Sequence, residues 1–197
     1  MQFYFMVKLR INPWREVWLH PRNTIKAILK YNPKYMVLPL AALAGIANSA
    51  IEFELMDGII GGSSFIGSSI VAALLGILSL YISGFLLSLT GRWLKGKANA
   101  LKLRAAVAWS GVPIVASLLL FIPLFFALNS SAIGTVTMSA FVSMGLGVWS
   151  LVLYVGMISE VQKFSIWKSI LNILLVIIIL LIPVLLLGVL SGVALYA

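Results

Sequence analysis

Cysteine is missing from all 197 residues, which removes disulfides, thiolate metal sites and cysteine nucleophiles. Histidine occurs once, as His20, and the acidic residues number five: Glu16, Glu52, Glu54, Asp57 and Glu160. From so few groups no His pair, no Glu-x-x-His and no nucleophile elbow can be assembled, so the sequence offers no catalytic residues, no metal ligands and no cofactor site. It reads as a non-enzymatic protein. Charge of both signs is scarce, 10% of residues against 62% hydrophobic, whereas ordinary soluble domains carry roughly a quarter charged residues. A soluble globule is excluded.

What is present in quantity is apolar sequence in long runs. A hydrocarbon core about 30 Å thick takes roughly 20 apolar residues per helix, and five runs meet that length: Tyr35 to Leu55, Phe65 to Leu89, Ala105 to Leu128, Val136 to Ile158 and Ser169 to Leu195. The expected fold is all-α, a polytopic membrane bundle of five transmembrane helices over residues 35–197. Residues 1–34 form a separate basic segment. Met1 to Val7 is apolar but short, and it precedes its basic residues, the wrong order for a secretory signal.

Lysine and arginine, 14 in all, fall into three stretches. Seven precede the first run (Lys8, Arg10, Arg15, Arg22, Lys26, Lys30, Lys34), five separate the second from the third (Arg92, Lys95, Lys97, Lys102, Arg104), and two separate the fourth from the fifth (Lys163, Lys168). The other two connections have none. Positive residues accumulate on the cytoplasmic side, so the N-terminus is expected inside and, with an odd number of spans, Ala197 outside. The net charge of +9 then has a membrane explanation, attraction to anionic lipid worth about 1 kcal/mol per Lys or Arg near the surface. No nucleic-acid role is needed to account for it.

Within the basic segment, Asn12-Pro13 reads as a helix cap followed by proline at the first helical position. Trp14, Val17 and Trp18 follow at helical spacing opposite Arg15. Pro21 is expected to break this helix, and a second one after Asn23 or Thr24 carries Ile25, Ile28 and Leu29 opposite Lys26 and Lys30. Such patterns suit short amphipathic helices in the headgroup plane, either as an anchor or as a surface for lipid or a partner. Asn32-Pro33 repeats the cap signal and is expected to open the first span. Trp14, Arg15, Trp18, Arg22, Lys26 and Lys30, with Arg92, Lys95, Lys97, Lys102 and Arg104, are the candidate lipid and partner contacts.

Helices in lipid associate through close packing at small residues. The sequence places these four apart: Ala41, Gly45 and Ser49; Ser68, Ala72 and Gly76; Ser139, Ser143 and Gly147; Gly188 and Gly192. They are expected to bundle the spans of one chain, with a homo-oligomer as the alternative. Pro39, Pro113, Pro123 and Pro183 lie within the runs and invite kinks. No ionisable residue falls at a midplane position, where it would mark a functional site. Asn48 and Glu52 share a face at i and i+4, and with Asp57 they form a candidate outer polar site able to hold a cation. An acidic outer rim is the simpler alternative.

Several blocks, in order, resemble the Yip family of multispanning membrane proteins: Trp14, Pro21-Arg22-Asn23-Thr24, Asn32-Pro33, Arg92 through Lys97, Ala108 through Pro113, and Trp149 through Lys168. The resemblance covers nearly the whole chain and implies a five-span, N-inside topology. It also implies Rab-type small GTPases and vesicle traffic as a partner class. Eukaryotic members carry a longer N-terminal region for those contacts, whereas this chain has 34 residues there, which counts against a GTPase partner. The shortness looks like the prokaryotic branch, and with it the plasma membrane of a prokaryote. Two functions follow as expectations: a scaffold or adaptor binding anionic lipid and a cytoplasmic protein, or a small channel, transporter or lipid-handling protein.

Overall fold

The computed structural model describes residues 11–56, 65–127 and 133–196, with side chains over 11–49, 67–119, 141–183 and 185. These residues form α1 (Pro13–Glu16), α2 (Pro21–Tyr31), α3 (Val37–Met56), α4 (Phe65–Trp93), α5 (Ala100–Ser110), α6 (Val112–Ala127), α7 (Ile133–Gln162) and α8 (Ile166–Tyr196), with no strand among them. Four described stretches are long and apolar enough to cross a membrane: Gly67–Trp93, Ala100–Leu119, Phe141–Gln162 and Ile166–Pro183. Val37–Ser49 of α3 is a shorter apolar helix. Large apolar side chains such as Leu74, Phe85, Val148 and Ile178 remain exposed, as lipid-facing surfaces require.

The α3–α4 contact is set by the small-residue stripes. Gly45 and Gly76 approach so closely that a Cβ on Gly45 would stand 2.2 Å from the Ala72 carbonyl oxygen, and one on Gly76 would stand 2.4 Å from that of Ala41. Glycine here serves close approach of two backbones, the use small residues have between membrane helices. The stripe in α7 behaves otherwise, since a Cβ on Gly147 would meet nothing within 4 Å. Gly188, Gly192 and Ser139 have no described side-chain surroundings.

Three boundaries differ from the sequence expectation. The third run is not one helix from Ala105: it starts at Ala100, capped by the Asn99 side chain accepting from the Lys102 N–H at 3.1 Å, and stops at Ser110. Gly111 donates back to Ala108 at 3.2 Å, and α6 restarts at Val112 with Pro113 in its first turn. There proline costs no intrahelical bond, which also holds for Pro39 near the start of α3. Pro183 alone among the described side chains lies in a helix interior, and α8 runs on through it. Second, the two short helices are separated just before Pro21 as expected, but α2 starts at Pro21 itself rather than after Asn23 or Thr24. Third, Asn32-Pro33 makes a turn, with Asn32 Oδ1 accepting from the Lys34 N–H at 2.9 Å, and α3 begins only at Val37 after Met36 at φ 56°.

The largest departure concerns α2. Its apolar side meets protein rather than lipid: Ile25 and Ile28 are wholly buried together with Val17, packed in one core with Leu103 and Trp109 of α5 and Leu153 and Met157 of α7. Residues 11–34 are therefore part of the bundle.

Candidate functional site

The described lysines and arginines gather at one end of the bundle because the end of α4, the start of α5, the end of α7 and the start of α8 are tied together there by buried amides. Gln162, 1% exposed, donates from Nε2 to the Leu87 carbonyl at 3.0 Å and accepts at Oε1 from the Ala98 N–H at 3.1 Å. Gly91 and Gly96 make its seat, since a Cβ on either would fall within 2.3 Å of the Gln162 amide. Asn172, also buried, donates to the same Leu87 carbonyl at 3.4 Å, and its Oδ1 lies 2.5 Å from the Thr90 hydroxyl. Both helices close with a lysine at positive φ, Lys95 at 66° and Lys163 at 61°. Each closure carries a backward bond, Gly96 N–H to Gly91 at 2.7 Å and Phe164 N–H to Ser159 at 2.9 Å, the pattern that satisfies terminal carbonyls.

The N-terminal segment docks onto this end. Asn12 Oδ1 caps α1 by accepting from the Trp14 N–H at 3.1 Å, as the sequence indicated. Trp14 then sets its ring 5.1 Å from that of Trp109, whose Nε1 donates to the Tyr35 carbonyl at 3.1 Å. Arg22 donates to the Ser159 hydroxyl at 3.4 Å, and Lys26 pairs with Glu160 at 3.3 Å, which Lys163 also contacts. His20 pairs with Glu16 at 3.0 Å. Of the candidate contact residues, Trp14, Arg22 and Lys26 thus hold the segment in place, and Trp18 packs half-buried against the core. Arg15, Lys30, Arg92, Lys95, Lys97 and Lys102 point outward. Arg104 lies over the Tyr81 ring, 4.4 Å from its centroid. Trp93 and Trp167, 61% and 80% exposed, stand beside these cations, an aromatic placement typical of a headgroup boundary.

The outer polar site is only partly described. Asn48 and Glu52 both lie on α3; the Glu52 side chain and Asp57 fall outside the described residues. Asn48, itself exposed, instead lines a half-open pocket of about 320 Å³ between α3, α4, α5 and α7, with Ser79, Ser110, Ser150 and Tyr154. Ser150 donates to the Ser110 carbonyl at 2.7 Å, which satisfies an acceptor that the α5–α6 break releases. No group of three His, Cys, Asp or Glu stands together among the described residues.

Sequence reasoning passed over Gln162, Asn172, Thr90 and Ser150. The available signal was simple: Asn172 is an amide inside an apolar run, where every polar group must find a partner within the protein.

A family model described as the Yip1 domain matches residues 15–188. The chain belongs to the Yip1 domain family. The matched range opens at Arg15, so the docked α2 lies inside the Yip1 domain along with the membrane helices, and the Gln162 and Asn172 clasp does too. No curated protein and no solved structure matches the chain.

Proposed function

We propose that this Yip1-domain protein is a non-enzymatic membrane scaffold whose basic end faces the cytoplasm, holds anionic lipid and presents a surface to a cytoplasmic protein. In this reading α3 is the fifth span, residues 90–104 and 159–168 lie inside with the N-terminus, and Ala197 lies outside. The plasma membrane of a prokaryote is the proposed location. One observation supports it above the rest: outward cations from three separate stretches of sequence share one end of the bundle, flanked by Trp93 and Trp167. Charges arranged so attract an anionic leaflet by about 1 kcal/mol each. The test is tryptophan quenching in nanodiscs carrying brominated phosphatidylglycerol or brominated phosphatidylcholine. Stronger quenching by the anionic lipid, falling as salt screens the charge, is the expected result; equal quenching by both lipids sinks the reading.

The half-open pocket favours a second reading, conduction or lipid handling, because exposed Asn48 and Ser79 and more deeply set Ser150 and Tyr154 give it a polar lining, and hydroxyls and amides suffice to line a path. Liposome flux that is present in the native protein and lost in Asn48→Leu would favour it over the scaffold. Absent flux would remove it.

A further inference from the structure

A second recess lies on the lipid-facing side of the same end. It is a cavity of about 280 Å³ between α3, α4 and α5, with Lys34 and Arg104 on its rim and Val37, Leu38, Leu80 and Leu101 along its walls. Arg104 is held in position before any ligand arrives. Its Cγ occupies the notch left by Gly84, where a Cβ would stand 2.4 Å away. Its guanidinium rests on Tyr81, 4.4 Å from the ring centroid, and its Nε donates to the Ala100 carbonyl at 3.3 Å. No described residue accepts from its terminal nitrogens, and neither Arg104 nor Lys34 pairs with a carboxylate among the described residues. The described acids are spent elsewhere, Glu16 on His20 and Glu160 on Lys26 and Lys163.

Depth within the bilayer decides what chemistry this pair meets. α3 has 20 residues, about 30 Å of helix, which matches the hydrocarbon thickness and puts Val37 at its edge. The antiparallel contact of Gly45 with Gly76 carries Val37, eight residues earlier, level with Gly84, eight residues later. The Arg104 stem crosses that level. A pre-set guanidinium fork with an ammonium beside it, above an apolar groove and at the boundary of the hydrocarbon, complements a phosphate monoanion carrying acyl chains. Arginine suits this role because its planar donors match phosphate oxygens in pairs.

We propose that this recess is a discrete site for one anionic phospholipid, its phosphate between Lys34 and Arg104 and an acyl chain along Val37, Leu38 and Leu80. The proposal rests on the basic-end reading above but is narrower, assigning one stoichiometric lipid to one place rather than a diffuse attraction to the whole face.

The experiment is native mass spectrometry of the full chain titrated with phosphatidylglycerol and phosphatidylcholine, together with three variants. The native protein is expected to retain one phosphatidylglycerol in preference to phosphatidylcholine. Arg104→Gln should weaken that binding about tenfold or more, the loss expected of a charge-assisted pair. Leu38→Trp, which leaves both charges and fills the groove from an already exposed position, should weaken it comparably and guards against misfolding of the arginine variant. The double variant Lys95→Gln with Lys97→Gln, on the outward face, should keep the bound lipid. Equal losses in the arginine and the double-lysine variants would overturn the discrete site while leaving the basic-end reading intact. No preference for the anionic lipid in the native protein would overturn both. Displacement of the lipid by millimolar inorganic phosphate would show an anion site without a lipid groove, and likewise overturn the proposal.

Discussion

At the scale of single residues, glycines separate into those that bring backbones together and those that do not. Gly76 and Gly147 both occupy small-residue stripes in the sequence, yet only Gly76 faces backbone atoms that cannot move aside. Gly76→Ala should therefore force α3 from α4 and lower the thermal midpoint in detergent by several degrees. Gly147→Ala should leave it unchanged or slightly raised, because alanine favours a helix by up to about 1 kcal/mol where nothing obstructs it. Gly91 tests a different kind of contact, since its obstacle is the Gln162 side chain rather than backbone. Gly91→Ala alone should destabilise, and so should Gln162→Ala, by about 2 kcal/mol as the Ala98 N–H loses its acceptor. Combined, the two should cost less than their sum, because removing the amide vacates the space that the new methyl needs. Strict additivity in equilibrium unfolding would show that Gly91 and Gln162 do not share that space.

At the scale of elements, α2 shows how an amphipathic pattern is met by protein instead of lipid. Ile25 and Ile28 fit the headgroup plane by sequence alone, but they are wholly buried in the core that α2 shares with α5 and α7. Ile25→Ala with Ile28→Ala should release α2, each truncation of a buried isoleucine costing roughly 2–5 kcal/mol. Limited trypsinolysis is the measurement: cleavage after Arg22, Lys26 and Lys30 should be slow in the native protein and fast in the double variant. Equal rates would mean that α2 is not docked. This element also shows what the sequence does and does not disclose. Apolar runs, the Asn12 cap and the α3–α4 stripes were legible because each is a local pattern with one physical cause. The break at Gly111 was not, because a Gly-Val-Pro sequence inside an apolar run is compatible with a kinked helix as well as with two helices. Which one forms depends on whether another helix supplies a donor for the freed carbonyl, and Ser150 lies 40 residues away. The destination of an amphipathic face is likewise set by tertiary neighbours, and Gln162 gives no local sign that it will bridge α7 to residues 87 and 98.

At the scale of the whole molecule, the distribution of lysine and arginine is both a sequence pattern and a spatial one. Stretches of sequence far apart meet at one end through Gln162, Asn172 and Glu160, so charge that the positive-inside rule treats as separate loops is a single patch. Crossing the bilayer would cost each cation several kcal/mol, and moving the patch would mean moving all of them together. One orientation should therefore hold for the entire population rather than a mixture. The absence of cysteine makes this directly measurable, since any introduced thiol is the only one in the chain. In sealed right-side-out vesicles or intact cells, a membrane-impermeant maleimide should label Ile60→Cys and Ser130→Cys without permeabilisation. Lys97→Cys and Lys163→Cys should be labelled only after detergent opens the membrane. Substituting glutamine for Arg92, Lys95, Lys97 and Lys102 together should begin to mix the two labelling patterns, because Arg104 and the cations at residues 8–34 and 163–168 then carry the bias alone. Labelling of Lys97→Cys from outside, in the otherwise native chain, would reverse the proposed orientation and place the basic end at the opposite leaflet.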